Sequence, residues 1–281
     1  MTDAQPGRIE FAVIGGSGFE ALDLGARRVL PASDSPWGVV PEIVVGRLHG
    51  RAVAFAPRHG AGHRVPPHRV NARALLWGLR RLGARVLLST NAVGGLASSL
   101  APGDFVLTDQ LIDRTHGRAD TYFDGDIEIA GVQHLPFAEP YDRHLREIAF
   151  RVLRDQGERV HPAGTSVVVQ GPRFATAAEA DWHRAMGAAL VNMTQLPEAA
   201  LAAELGFAHV NLAIVTDTDT EHGETEDDTS ATAERVFAVM AQAQPRLSAA
   251  VAAIIAAIPP GYEPPERLAP QVVAALIGAR A

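Results

Sequence analysis

The chain has 281 residues, 47% apolar and 20% charged, which suits one large α/β domain or two small ones with a sizeable core and excludes a disordered chain. Its formal net charge of -7 gives no general basic field to gather polyanions, so nucleic acid is not an expected partner, although local arginines can still hold a small phosphate. There is no cysteine and all 25 basic residues are arginine, which excludes thiolate nucleophiles, disulfides, Cys-based zinc sites, Schiff-base lysines and the lysine of a Walker loop.

The N-terminal MTDAQPGRIE lacks a basic start leading into an apolar stretch, so no export signal is expected. IEFAVIGG is a short apolar run closed by glycine, which predicts a buried parallel strand entering a tight turn. Residues 42–49 and 51–57 are β-rich runs around Gly50 and predict a hairpin. Over 70–82, Ala72, Leu75, Leu76 and Leu79 share one face at helical spacing, and Gly83 stops the run. RVLLSTNA at 85–92 predicts a strand running into Gly94-Gly95, and after a Pro102-Gly103 turn FVLTDQLI predicts one further strand. A helix is predicted over 141–156, a strand over 165–171, and a helix over 176–187 capped by Thr176. Strands at 188–193 and 207–217 bracket a helix starting at Pro197.

Residues 227–256 read as largely helical, and the longest apolar run, Ala249 to Ile258, is too short to span a bilayer. A cytoplasmic location with no membrane partner is expected. Pro259-Pro260 ends that helix and separates a body of residues 1–258 from a Pro-hinged appendage of 259–281. Alternating strands and helices predict a single α/β domain with a mixed, mostly parallel central sheet flanked by helices.

Candidate site residues gather at the predicted strand ends, where open α/β sheets hold their ligands. Gly15-Gly16-Ser17-Gly18 lets backbone N–H groups and the Ser17 hydroxyl approach an anion, though such a turn is often no more than a turn. In PRHGAGH, Arg58 follows a strand directly, where its fork can take two phosphate oxygens, and His59 can donate a second contact; a surface arginine with structural histidines is the alternative. His59 and His63 have metal-like spacing, but no nearby carboxylate completes a metal motif and no metal is expected. STNAVGG, QGPRF and VNMTQLPE add further strand ends, the last with Met193 and Thr194 ahead of a helix N-terminus whose backbone donors favour anions. In VTDTDTEHGE, Asp217 and Asp219 fall on one strand face by the period-two rule, and mutual repulsion with desolvation makes one of them a candidate acid. The acidic run 221–228 reads as a solvated loop or lid without a catalytic residue.

In this order GGSGFE, RHGAGHRVPPHRVN, NAVGGL, PGD followed by DQLIDRTHGR, QGPRF, VNMTQLPE and VTDTD resemble the trimeric purine nucleoside phosphorylases, their methylthioadenosine branch most closely, over roughly residues 9–258. The resemblance implies one α/β domain around a distorted sheet, a homotrimer, and no metal or organic cofactor, with inorganic phosphate as co-substrate of a small nucleoside. It implies that Ser17, Arg58, His59, Asn91, Ala92 and Thr194 surround phosphate and that Met193 lies beneath the ribose. Phe174, Val191, Asp217 and Asp219 are implied at the purine; His63, Val236 and, from a neighbouring subunit, His134 at the 5′ substituent. Asn91 departs from the Ser or Thr common in the methylthioadenosine branch, and Asn-Ala-x-Gly-Gly is similar to the ordinary purine enzymes. Asp217 matches the aminopurine enzymes, where 6-oxopurine enzymes carry Asn.

The expected reaction is phosphorolysis of 5′-methylthioadenosine, or a closely related 5′-modified adenosine, to adenine and a 5-modified ribose 1-phosphate. A purine nucleoside or methylthioinosine phosphorylase is the alternative. A nucleosidase would not need Arg58 and the anion donors, and a non-catalytic nucleoside-binding protein would have little use for a carboxylate pair.

Overall fold

The computed structural model describes residues 8–127, 129–218 and 232–280. In chain order its strands are β1 (Phe11–Gly15), β2 (Arg28–Leu30), β3 (Ser33–Ser35), β4 (Gly38–Val40), β5 (Ile43–Leu48), β6 (Arg51–Pro57), β7 (Val86–Gly95), β8 (Phe105–Leu107), β9 (Gln110–Arg114), β10 (Val160–His161), β11 (Thr165–Val169), β12 (Leu190–Asn192) and β13 (Ala208–Thr218). The α-helices are α1 (Ala72–Arg81), α2 (Arg143–Asp155), α3 (Ala177–Ala185), α4 (Gln195–Glu204), α5 (Ala233–Ala257) and α6 (Pro270–Gly278).

A mixed sheet runs β10-β8-β13-β7-β1-β6-β5-β2, and β12, β11 and β9 branch from it. Its centre is parallel and buried on both faces, as the unbroken apolar run of β1 requires. Phe11 and Val13 of β1 pack with α2 and α5 on one side, through Leu145, Ile148, Leu247 and Val251. Ala12 and Ile14 pack on the other with α1 and α4, through Leu75, Leu79 and Leu201. The predicted hairpin is β5–β6, and His49 and Gly50 both take the positive φ (47° and 78°) that its tight turn needs. Thr176 and Glu179 close a reciprocal capping box on α3, so that helix starts where its sequence predicts.

FVLTDQLI is two strands, not one. Asp109 turns aside to accept from the Gly164 amide at 2.9 Å, so β8 pairs with β13 while β9 leaves to pair with β11. Residues 259–280 return onto the body: Leu276 is fully buried and its carbonyl accepts from Trp77 Nε1 at 3.1 Å, while Tyr262 donates to Asp142 at 2.8 Å.

The site is positioned by β7. Its first half, Val86–Ser89, lies between β1 and β13; its last residues, Gly94 and Gly95, have left β1 and pair with Val191 and Leu190 of β12. The sheet therefore forks beside Thr90–Val93. The turns that leave β1 and β6 open at one lip of that fork, and the ends of β12 and β13 form the other.

Candidate active site

A cavity of about 550 Å³ fills the fork. Its walls include Ser17, Arg58, His59, His63, Asn91, Ala92, Phe174, Val191, Met193, Thr194, Asp217 and Val236, which brings together twelve of the residues named from sequence. Asp219 lies outside the described residues. His134 is exposed on its own chain and does not line this cavity.

Arg58 is 4% exposed at the polar end. Its Nε and Nη2 close on the Glu198 carboxylate at 2.7 and 2.9 Å, and Nη1 donates to the Thr90 carbonyl at 2.8 Å. The fork expected to take two phosphate oxygens is thus directed at Glu198. Of five guanidinium N–H groups three are used here, leaving one on each Nη. Glu198 offsets the charge of a buried arginine that would otherwise be strongly destabilising. Gly16 makes this packing possible, because a Cβ there would lie 2.5 Å from the Thr90 carbonyl and 2.9 Å from Arg58 Nη1.

His59 corrects a second expectation. Its Nδ1 lies 2.8 Å from the Val65 carbonyl, an acceptor, so Nδ1 carries the proton of the neutral ring and Nε2 offers a lone pair. Burial, then the Arg58 charge, lowers its pKa to about 4. The neutral ring therefore presents an acceptor, not a donor, at Nε2. The His63 ring lies 4.2 Å from that of His59, tilted by 36°, and burial lowers its pKa as well.

The start of α4 differs from the anion-binding helix terminus expected there. Asn192 Oδ1 accepts from both the Thr194 and Gln195 amides at 2.8 Å, so those donors are satisfied within the chain. Leu196 is non-helical and the regular turns begin at Pro197, as predicted. What Thr194 offers the cavity is its hydroxyl.

At the other end Asp217 is 3% exposed and sits just past a bulge, where the β7 register steps from Val215 to Asp217. Thr216 Oγ1 lies 2.6 Å from Asp217 Oδ1. A Cβ on Gly94 would fall 2.8 Å from Val191 and 3.2 Å from Asp217 Oδ2, so this glycine lets the carboxylate and the apolar wall approach the cavity floor. Phe174 and Phe237 flank the opening at 42% and 40% exposure, with Phe237 edge-on to His63 at 5.3 Å.

Sequence reasoning missed Glu198, Arg64 and Phe237. Glu198 left one signal: in QLPEAALAAEL two carboxylates stand in a helix with no polar face, and both are buried. Nothing local marked the others.

A profile of the phosphorylase superfamily matches residues 10–256. A purine nucleoside phosphorylase of Streptomyces coelicolor is 43% identical over 265 residues, covering 91% of each chain. An S-methyl-5′-thioadenosine phosphorylase of Thermofilum pendens is 39% identical over 90% of this chain and 93% of its own. The crystal structure of a methylthioadenosine phosphorylase from Schistosoma mansoni in complex with adenine superposes with a TM-score of 0.82 at 32% identity, covering 88% of this chain and 91% of that one.

Proposed function

The chain belongs to the phosphorylase superfamily, and we propose that it is a nucleoside phosphorylase that cleaves 5′-methylthioadenosine, or a closely related 5′-modified adenosine, with inorganic phosphate. The observation that carries this reading is one cavity that joins a donor-lined end at Ser17, Arg58 and Thr194 to a carboxylate, Asp217, beside an apolar wall.

Breaking the C1′–N9 bond builds positive charge on the ribose and negative charge on the leaving base. Phosphate held at the polar end supplies the counter-charge and the oxygen that bonds to C1′, and protonated Asp217 donates to N7 of the purine. The balance closes: HPO₄²⁻ loses one proton in becoming the sugar phosphate ester, and adenine gains one. The accepting Nε2 of His59 suits the P–OH group of that dianion. No metal or organic cofactor enters the scheme.

A second reading, an ordinary purine nucleoside phosphorylase, is favoured by the likeness to the Streptomyces enzyme. One assay separates the two: adenosine, inosine, 5′-methylthioadenosine and 5′-methylthioinosine, each with and without phosphate. Fastest, phosphate-dependent release of adenine from methylthioadenosine is expected. Release independent of phosphate would make the protein a nucleosidase.

The reading includes a homotrimer whose cavities border a neighbouring copy. It is supported by Trp182 on α3 and Met186 just past its end, 47% and 36% exposed, with the Arg114 guanidinium 4.4 Å from the Trp182 ring, a composition suited to an interface. His134 then reaches the 5′ end of a neighbour's cavity. Full activity from a monomer in light scattering would exclude shared sites. Residues 1–258 form the catalytic body and 259–281 the appendage, whose described residues 259–280 brace α1. The reaction returns a free purine, which we assign to purine salvage in the cytoplasm.

A further inference from the structure

Behind the polar end lies a line of buried amides and hydroxyls running from the core to the cavity wall. Asn211 of β13, fully buried, stands in its middle. Its Oδ1 lies 3.0 Å from Thr108 Oγ1 and 2.5 Å from Gln195 Nε2, both placed to donate. Its Nδ2 lies 2.9 Å from Ser89 Oγ, 3.4 Å from the Ser89 carbonyl and 2.5 Å from Asn91 Oδ1. Asn91 Nδ2 in turn lies 2.9 Å from Thr194 Oγ1.

The order of donors along this line follows from its contact with one backbone carbonyl. A backbone carbonyl cannot turn, so the Ser89 oxygen requires the N–H side of Asn211. A flipped Asn211 would set oxygen against oxygen there and at Asn91. With Asn211 fixed, Asn91 must point its oxygen back and its N–H forward to Thr194. One of the two lone pairs of the Thr194 hydroxyl is then occupied and its proton is turned away from Asn91, on the residue that lines the cavity. Its backbone N–H is already held by Asn192. The cost falls at the far end, where Gln195 Oε1 is buried without a hydrogen-bond partner among the described residues.

We infer that Asn211 is a positioning residue which, through Asn91, fixes the Thr194 hydroxyl as a donor to the bound phosphate oxyanion. This deepens the phosphorylase reading and rests on it. Asn211 touches no substrate. Its removal frees Asn91 to turn, and a turned Asn91 accepts the Thr194 proton, leaving a lone pair facing the anion.

The test is steady-state kinetics of Asn211→Leu, Thr194→Val and the double variant, with phosphate and nucleoside varied separately. Asn211→Leu is expected to raise KM for phosphate about tenfold, the loss of one oriented donor to a charged group, with KM for nucleoside within about twofold. In the Thr194→Val background the same substitution is expected to have no further effect on phosphate, which a merely structural role would not produce. Independent, multiplying effects overturn the inference, as does an unchanged KM for phosphate in Asn211→Leu. Should that variant not fold, Asn211→Ser removes the same link and takes its place in the cycle. Phosphate-independent turnover by the wild type would instead overturn the phosphorylase reading itself, so the two failures are distinct.

Discussion

At the polar end of the cavity Arg58, Asn91 and Thr194 are 4%, 3% and 7% exposed, and each is held by a neighbour's hydrogen bond, whereas Phe174 and Phe237 leave 42% and 40% of their surface in solvent. In the proposed reaction the first region would surround a reactant of fixed shape and high charge, where a misplaced donor is costly. The second would meet parts of the nucleoside that vary between substrates, where apolar contact suffices and small changes are tolerated. Rigidity is thus concentrated where charge must be matched, and choice of substrate is left to the open end.

The strongest way to break this contrast is to remove Glu198. Glu198→Ala strands a buried guanidinium, and a loss of about 3–5 kcal/mol in denaturant unfolding is expected. Glu198→Leu combined with Arg58→Met should lose much less than the sum of the single variants, because neither charge is then left unpaired. A cost below about 1 kcal/mol for Glu198→Ala would mean the pair does not organise the polar end.

Asp217 tests the boundary between the regions. Asp217→Asn offers a donor and an acceptor without needing a proton, so the ratio of kcat/KM for methylthioadenosine over methylthioinosine should fall by about one to two orders of magnitude. An unchanged ratio would show that this carboxylate does not read the base.

His59 sharpens the contrast through pH. Burial holds its folded pKa at about 4, below the ordinary 6.5, so as pH falls through 6.5 the unfolded chain takes up a proton that the folded one refuses. Stability is therefore lost from pH 6.5 down to about 4, amounting to about 2 kcal/mol between pH 7 and pH 5. Urea unfolding of wild type and His59→Gln at those two pH values should show a smaller drop in the variant by that amount. His209, also depressed by burial, contributes equally to both and cancels.

The smallest effect belongs to the open end. Phe237→Ala removes one edge-on ring contact with His63, and a twofold to tenfold fall in kcat/KM for methylthioadenosine, with adenosine nearly unaffected, is expected from about 0.5–1.5 kcal/mol. Equal losses with both nucleosides would place Phe237 away from the 5′ group.

The glycine-punctuated strand ends were legible in the sequence because apolar runs and turn residues are local signals, and they carried Ser17, Arg58, Asn91, Thr194 and Asp217 to one place. What each of these groups does there was less legible. The Arg58 fork faces Glu198, 140 residues away, and Asn91 is oriented by Asn211, 120 residues away, partnerships that exist only once β7, β12 and β13 are aligned. His59 read as a donor because its residue type says nothing of the Val65 carbonyl that claims Nδ1. The bulge before Asp217 is a departure from strict alternation that the alternation itself cannot announce.

The fork in β7 also fixes when the site can come into being. That strand borders β1, 75 residues earlier at the Phe11–Val86 pair, and β13, 122 residues later at the Val86–Ala208 pair. Contacts of such separation form late, since the loops they close must be ordered before any reward is felt. During synthesis the turns after β1 and β6 are complete long before their counterparts, and the wall bearing Asn211 and Asp217 is among the last parts of the sheet to emerge. A nascent chain ending before Ala208 possesses the arginine, the histidines and the glycine turn, yet lacks the strand that bears Asn211 and Asp217. The cavity wall is complete only after β13 and then α5, which carries Val236 and Phe237, have joined the sheet.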